Sequence, residues 1–288
     1  MPRLTERPPV PTLGNMTPRA ITPSAPVHIA GGKAADDTDL IIRRRHRLAR
    51  ACAAPSGGTL LDFGCGNGSQ TALFAGAFDR VVGVDVNREY LAQFRARYAQ
   101  AALEAPNKPV ARGARDQPAG QPGGLPPITA LYFDGDNIPL RTRSVDYAVS
   151  FEVLEHVRDD RAVLGELARV VRPDGILVVS VPNRWWIFET HGTNLPVLRW
   201  NRVPFFSWLP TPIHDRFARA RIYSRRRIVT RLRDAGFIPF ASAWITAPMD
   251  ALSPGYLREV LRGTLFRGDR AVLPILATSI FVASRRVR

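Results

Sequence analysis

The apolar positions of this chain fall into two alternating periods. From Leu60 onward, short unbroken runs (LLDF, RVVGVDV, ITALYF, VDYAVSF, ILVVSV) are separated by windows in which apolar residues recur every three or four positions. Unbroken runs of this length read as strands covered on both faces, and the longer windows as helices. The spacing predicts helices from about Ser69, through Tyr90 to Ala102, over 159–171 and from Ser224 to Ala235, the last closed by Gly236. Strands alternating with helices imply an α/β fold with a doubly wound parallel sheet. FIPFASAWI and ATSIFVAS add two late strands, expected to pair antiparallel at one edge. Upstream, DLIIRRRHRLARACAA holds Leu40, Ile41, Leu48 and Ala51 at helical spacing, with its arginines expected on a solvated face.

Three stretches interrupt this rhythm. Residues 1–38 hold seven prolines and no apolar period, so they are expected as a disordered tail ahead of a domain over 39–288. Residues 106–127 hold six prolines and four glycines, expected as a flexible loop before the third strand. Residues 183–222 hold four of the five tryptophans and four prolines, and read as an aromatic insertion after the fifth strand rather than a core element.

Composition narrows the classes. At 45% hydrophobic residues the chain buries a real core, which excludes wholesale disorder. The longest apolar stretch, Leu273 to Ser284, is broken by Pro274 and Ser279 and falls short of a membrane span. Two cysteines, Cys52 and Cys65, make neither a disulfide framework nor a zinc spacing, and no apolar leader follows Met1, so a cytoplasmic location is expected. The net charge of +15 is uneven: +5 over 1–58, −2 over 59–183 and +12 over 184–288. Only Lys33 and Lys108 among the 40 basic residues are lysine, which fits coding bias and argues against nucleic acid as the partner.

The sharpest chemical signal is LLDFGCGNG, a strand entering a glycine turn at Gly64, Gly66 and Gly68. Such a turn lets backbone approach a ligand closely. Ser69 breaks the dinucleotide pattern, and Asp62 sets a carboxylate where a pyrophosphate would lie. An acid there suits a cationic amino acid, and S-adenosylmethionine has an α-ammonium and no phosphate. Asp85 ends the second strand, where a carboxylate can accept from both ribose hydroxyls, with Val86 packing on one adenine face. Asp134, after the third strand, is placed for the adenine amine, with Phe133 or Gly135 shaping the base slot. Asp134 and Asp136 also fit a simple turn.

In the order LLDFGCGNG, VVGVDV, YFDGD, IPLRTRSVDYAVSFEVLEHV and VVRPDGILVVSVPN, residues 59–183 resemble the class I S-adenosylmethionine-dependent methyltransferases. The resemblance is to the branch containing quinone-biosynthesis and small-molecule enzymes. It implies a Rossmann-like seven-stranded sheet with an antiparallel last strand, and cofactor contacts by Asp62, Gly64, Gly66, Gly68, Asp85, Asp134 and Phe151. The long 106–127 loop and the aromatic insertion depart from the shared core and leave the acceptor open.

SFEVLEHV follows the fourth strand, at the carboxyl end of the sheet where open α/β folds bind ligands. Phe151 is placed to line the methionine channel, and His156 to remove a proton near neutrality. Glu155 and His156 also fit capping or bracing of the adjoining helix, the plainer reading; with Glu152 they could ligate a divalent metal, but with no second cluster no metal is expected. His191 and His214 in the insertion are alternative bases. The aromatics at 185, 186, 188, 200, 205, 206 and 208 fit a satellite core or an apolar acceptor site. With Arg216, Arg219, Arg221 and Arg225 to Arg227 beside them, a peripheral membrane contact is also consistent. The expected function is O-methylation of a small or lipid-linked acceptor, with RNA methylation or non-catalytic cofactor binding as alternatives.

Overall fold

The computed structural model describes residues 39–104, 125–188, 203–250 and 252–288; the proposed tail over 1–38 and most of the 106–127 loop lie outside them. The elements run α1 (Leu40–Cys52), β1 (Thr59–Phe63), α2 (Ser69–Phe74), β2 (Arg80–Asp85), α3 (Arg88–Glu104), β3 (Ile128–Tyr132) and β4 (Val145–Phe151). They continue with α4 (Asp160–Val170), β5 (Val171–Pro182), α5 (Thr211–Phe217), α6 (Arg225–Asp234), β6 (Phe237–Thr246), α7 (Tyr256–Gly263) and β7 (Ala277–Arg286).

The strands form one seven-stranded sheet in the order β3-β2-β1-β4-β5-β7-β6. β1 to β5 are mutually parallel, and β7 pairs antiparallel with β5 and with β6. This is the doubly wound sheet with a reversed last strand, and β6 rather than β7 is the edge. Alternation along β1 sends Leu61 and Phe63 into a core with Leu164 and Leu167 of α4 and Ile228 and Leu232 of α6. Leu60 turns to the opposite face, against Leu48 of α1 and Phe74 of α2. Two cores flank the sheet, so its central strands read as unbroken apolar runs.

Local signals set the helix starts. Asp159 accepts from the backbone N–H of Arg161 at 2.8 Å and of Ala162 at 3.3 Å, capping α4, and Ser224 accepts from Arg227 N–H at 3.1 Å, capping α6. The helix expected over 159–171 ends at Val170, and Arg172 to Gly175 lie inside β5. Val145 pairs with Val171 and then Tyr147 with Ile176, so the segment is a bulge, with Asp174 at φ 63°.

α1 departs from its expected solvated arginine face, because Arg44 and Arg45 are buried. Arg44 donates to the carbonyls of Thr246 (2.7 Å), Ala247 (2.9 Å) and Phe266 (2.6 Å). Strand-end carbonyls need donors as much as a guanidinium needs acceptors, and burial is tolerated where both are met.

Candidate functional site

The turn after β1 is held from β2. Gly64 and Cys65 donate their N–H groups to Val84 O at 2.8 and 3.1 Å. Gly64 sits at φ +77°, and a Cβ there would lie 2.3 Å from a Val153 methyl, so only glycine lets the segment after β4 close against this turn. Gly66 N–H donates to Asp85 Oδ2 at 2.9 Å and Asn87 N–H to Asp85 Oδ1 at 2.8 Å. Burial still raises the Asp85 carboxyl above its usual range, against those bonds. A Cβ on Gly66 would meet nothing within 4 Å, so the turn leaves an open cradle beside Asp85. Val86 is half-buried next to it, and Gly68 O accepts from Tyr98 Oη at 3.1 Å, which ties the turn to α3.

Asp62 is separated from the glycine turn by Phe63 alone. As alternation dictates, it shares the face of Leu60, buried under α2, where its carboxylate accepts from Thr71 Oγ1. Burial raises its pKa to about 7, the Thr71 bond opposing and Asp85 adding to the shift. Asp134 is exposed, and its Oδ1 accepts from the N–H groups of Asp136 (3.0 Å) and Asn137 (3.1 Å), which lower its pKa and make it the former of its own turn. Phe133 is buried edge-on against Phe63, while a Cβ on Gly135 would meet open space.

The end of β4 gathers more groups than the spacing showed. Phe151 is buried, with Phe74 at a 6.0 Å centroid distance and the Arg45 guanidinium 6.0 Å from its own ring centroid. Glu152, in the left-handed region at φ 56°, accepts from Ser180 Oγ at 2.8 Å and pairs with Arg45 at 3.0 Å. Glu155 is fully buried; desolvation first, then the Glu152 charge, hold its carboxyl well above the usual range. His156 Nε2 lies 3.8 Å from Glu155 Oε1. Among the described residues no group of three or more His, Cys, Asp or Glu is arranged to hold a metal ion.

Arg45, Ser180, Arg221 and Tyr223 were not singled out as members of this site by spacing. Arg221 donates its backbone N–H to Glu155 O at 3.1 Å and its guanidinium to the carbonyls of Val157 and Arg158. Tyr223 Oη lies 3.0 Å from Asp160 Oδ2 and 3.1 Å from Leu154 O. An arginine in a run and a serine inside an apolar strand carry no mark of a long-range partner; a buried tyrosine needing a hydrogen bond was the only signal.

The insertion divides in two. Trp186 is 6% exposed and packs with Phe266 and Ala247, whereas Trp185 is 48% exposed. Phe205 and Trp208 are exposed, stacked edge to face at 5.0 Å, and Trp208 Nε1 donates to Trp185 O at 3.3 Å. Part of the segment is therefore a satellite core, one of the two readings its aromatics allow, because Trp186 has an apolar partner on the β6–β7 connection. His214 is fully buried in α5 beside Phe206 (5.3 Å); His191 and Trp200 lie outside the described residues.

This sheet order and turn are those of a nucleoside-binding methyl-transfer domain, and a family profile described as methyltransferase domain matches residues 34–239. The chain belongs to this family, as a class I S-adenosylmethionine-dependent methyltransferase. It is 29% identical over 236 residues to a probable S-adenosylmethionine-dependent methyltransferase of Mycobacterium tuberculosis, covering 79% of this chain and 68% of that protein. A similar protein of Mycolicibacterium smegmatis is 33% identical over 146 residues, 49% of this chain and only 45% of its own length. A ubiquinone biosynthesis O-methyltransferase of Rhodopseudomonas palustris is 27% identical over 220 residues, covering 74% of this chain and 75% of the other. The fold matches an S-adenosylmethionine-dependent methyltransferase from Mesorhizobium loti with a TM-score of 0.51 at 20% identity, over 84% of this chain and 98% of that one.

Proposed function

We propose that the chain O-methylates a small or lipid-linked acceptor at the carboxyl edge of the sheet. The observation that supports this is the approach of Val153 to Gly64, which closes the segment after β4, the one that carries Glu152, Glu155 and His156, against the glycine turn. In this reading Gly64, Gly66 and Gly68 would cradle the cofactor, Asp85 would accept from its ribose, Val86 would pack on the adenine, Asp134 would meet the adenine amine and Phe151 would border the methionine end. Asp62 acts at one remove, by holding Thr71 and so α2. When bound, S-adenosylmethionine supplies an electrophilic methyl group. The protein's own work is to align the acceptor oxygen, exclude water and take up its proton.

His156 is the proton acceptor in this proposal, since Glu155 is fully buried with its carboxyl well above the usual range and Glu152 is engaged by Arg45 and Ser180. Trp185, Phe205 and Trp208 supply an apolar wall for the acceptor. The O-methyltransferase names of some relatives support oxygen as the methylated atom. The test is formation of S-adenosylhomocysteine with lipid, saccharide and RNA fractions offered separately. Turnover in the lipid or saccharide pool, lowered at least tenfold in His156→Gln with cofactor affinity unchanged, is expected. Turnover in the RNA pool alone overturns the acceptor class; cofactor binding without turnover in any pool overturns catalysis.

A further inference from the structure

The connection between β6 and β7, residues 247–276, leaves the sheet at the same edge as the site. Because β7 is antiparallel to both neighbours, β6 runs in the direction of β1 to β5, and Thr246 lies at the carboxyl edge with Gly64 and Glu152. The inner side of this excursion is anchored. Phe266 packs on Trp186, Leu261 lies against the same cluster, and Arg44 holds three of the local carbonyls. Its outer side is bare. Tyr256 is 88% exposed, Leu257 63%, Leu265 64% and Val272 85%, and Val260 and Leu273 are exposed beside them. None of the eight residues of α7 is buried. Apolar side chains of this size, gathered on one excursion, mark an interaction surface.

The surrounding charge identifies the occupant. The three acids of the excursion are each paired: Asp250 with Arg262 at 2.5 Å, Glu259 with Arg258 at 3.5 Å, and Asp269 with Arg47 at 2.6 Å. Arg267 and Arg270 are exposed. The Arg47–Asp269 pair also joins the excursion to α1, which carries five arginines and no acid, with Arg43, Arg47 and Arg50 exposed. An apolar helix face bordered by arginines complements a negatively charged, apolar-cored surface.

We propose that the β6–β7 excursion docks on the surface of an anionic lipid bilayer, with Tyr256, Leu257 and Leu265 entering the acyl boundary and the arginines meeting headgroup phosphates. An eight-residue helix is about 12 Å long, so the contact lies in the interfacial plane. No helix among the described residues is long and apolar enough to cross a membrane. The docking surface is independent of which acceptor is methylated, and it turns the carboxyl edge of the sheet toward the bilayer.

The test is co-sedimentation of the full chain with phosphatidylcholine vesicles and with phosphatidylcholine–phosphatidylglycerol vesicles. Binding to the anionic vesicles that weakens with added salt is expected. Leu257→Ser combined with Leu265→Ser should lower the partition coefficient roughly tenfold or more, with melting temperature and S-adenosylhomocysteine affinity unchanged. Absence of binding to anionic vesicles, or equal partition of the double variant, overturns the proposal. So does sedimentation velocity showing a dimer that the same substitutions dissociate, which would assign the face to a second copy of the chain. Neither readout depends on methyl transfer, so this proposal fails separately from the one above.

Discussion

The backbone N–H of Gly66 and the carboxylate of Asp85 meet at 2.9 Å, joining the turn after β1 to the end of β2. Asp85 therefore shapes the cradle as well as facing it. Asp85→Ala should weaken S-adenosylhomocysteine binding by roughly 1.5–3 kcal/mol, and Asp85→Asn, which keeps an acceptor for Gly66, by less. Calorimetry on both variants decides this. Equal affinity in wild type and Asp85→Ala would mean that the carboxylate only shapes the turn.

Gly64→Ala combines a strained backbone with a collision at Val153 and should destabilise the fold by about 2 kcal/mol or more. Val153→Ala added to it should recover part of that loss. A denaturant double-mutant cycle measures the coupling, and strictly additive effects would show that the two residues do not meet.

Asp62 gives a pH dependence of known sign. Its folded-state pKa is about 7, above the ordinary 3.8, so the folded state favours the protonated form. The resulting stabilisation is complete below about pH 4 and is lost as pH climbs toward and through about 7. Asp62→Asn, which keeps an acceptor for Thr71, should flatten this slope relative to wild type. Parallel stability curves for the two proteins between pH 4 and 8 would show that Asp62 does not titrate in this window.

The two neighbouring tryptophans should separate. Trp186→Ala empties a buried site and should cost about 3–5 kcal/mol of stability. Trp185→Ala, half exposed, should leave melting unchanged and lower acceptor turnover tenfold or more, about 1.4 kcal/mol of transition-state binding. Thermal melts and initial rates on one preparation read both. Unchanged turnover in Trp185→Ala would move the acceptor wall elsewhere.

The sheet is legible in the sequence because cores cover both of its faces, so that LLDF and VDYAVSF appear as unbroken apolar runs. The glycine turn and Asp85 are legible as neighbours because both follow strand ends at one edge. Asp62 is legible in position but not in partner: the two-residue period of β1 sets it on the face of Leu60, and nothing in LLDFGCGNG marks its bond to Thr71. Arg44 and Arg45 are illegible because nothing within RRRHR tells a guanidinium that meets water from one that meets the carbonyls at the end of β6 or the Glu152 carboxylate. Trp186 and Trp185 are adjacent in sequence and opposite in exposure, and only the β6–β7 connection, 80 residues from Trp186 at Phe266, distinguishes them.

Arg44 reaches 202 positions ahead to Thr246 O and 222 to Phe266 O. The ribosome delivers α1 early, yet the acceptors for its buried guanidinium emerge only with the last sixth of the chain. Until then that charge has no protein partner in this pocket, and α1 cannot settle where the finished protein holds it. The helix that brings Arg45 to Glu152 thus reaches its final place late in synthesis, and a chain truncated before β6 would lack every carbonyl that holds Arg44.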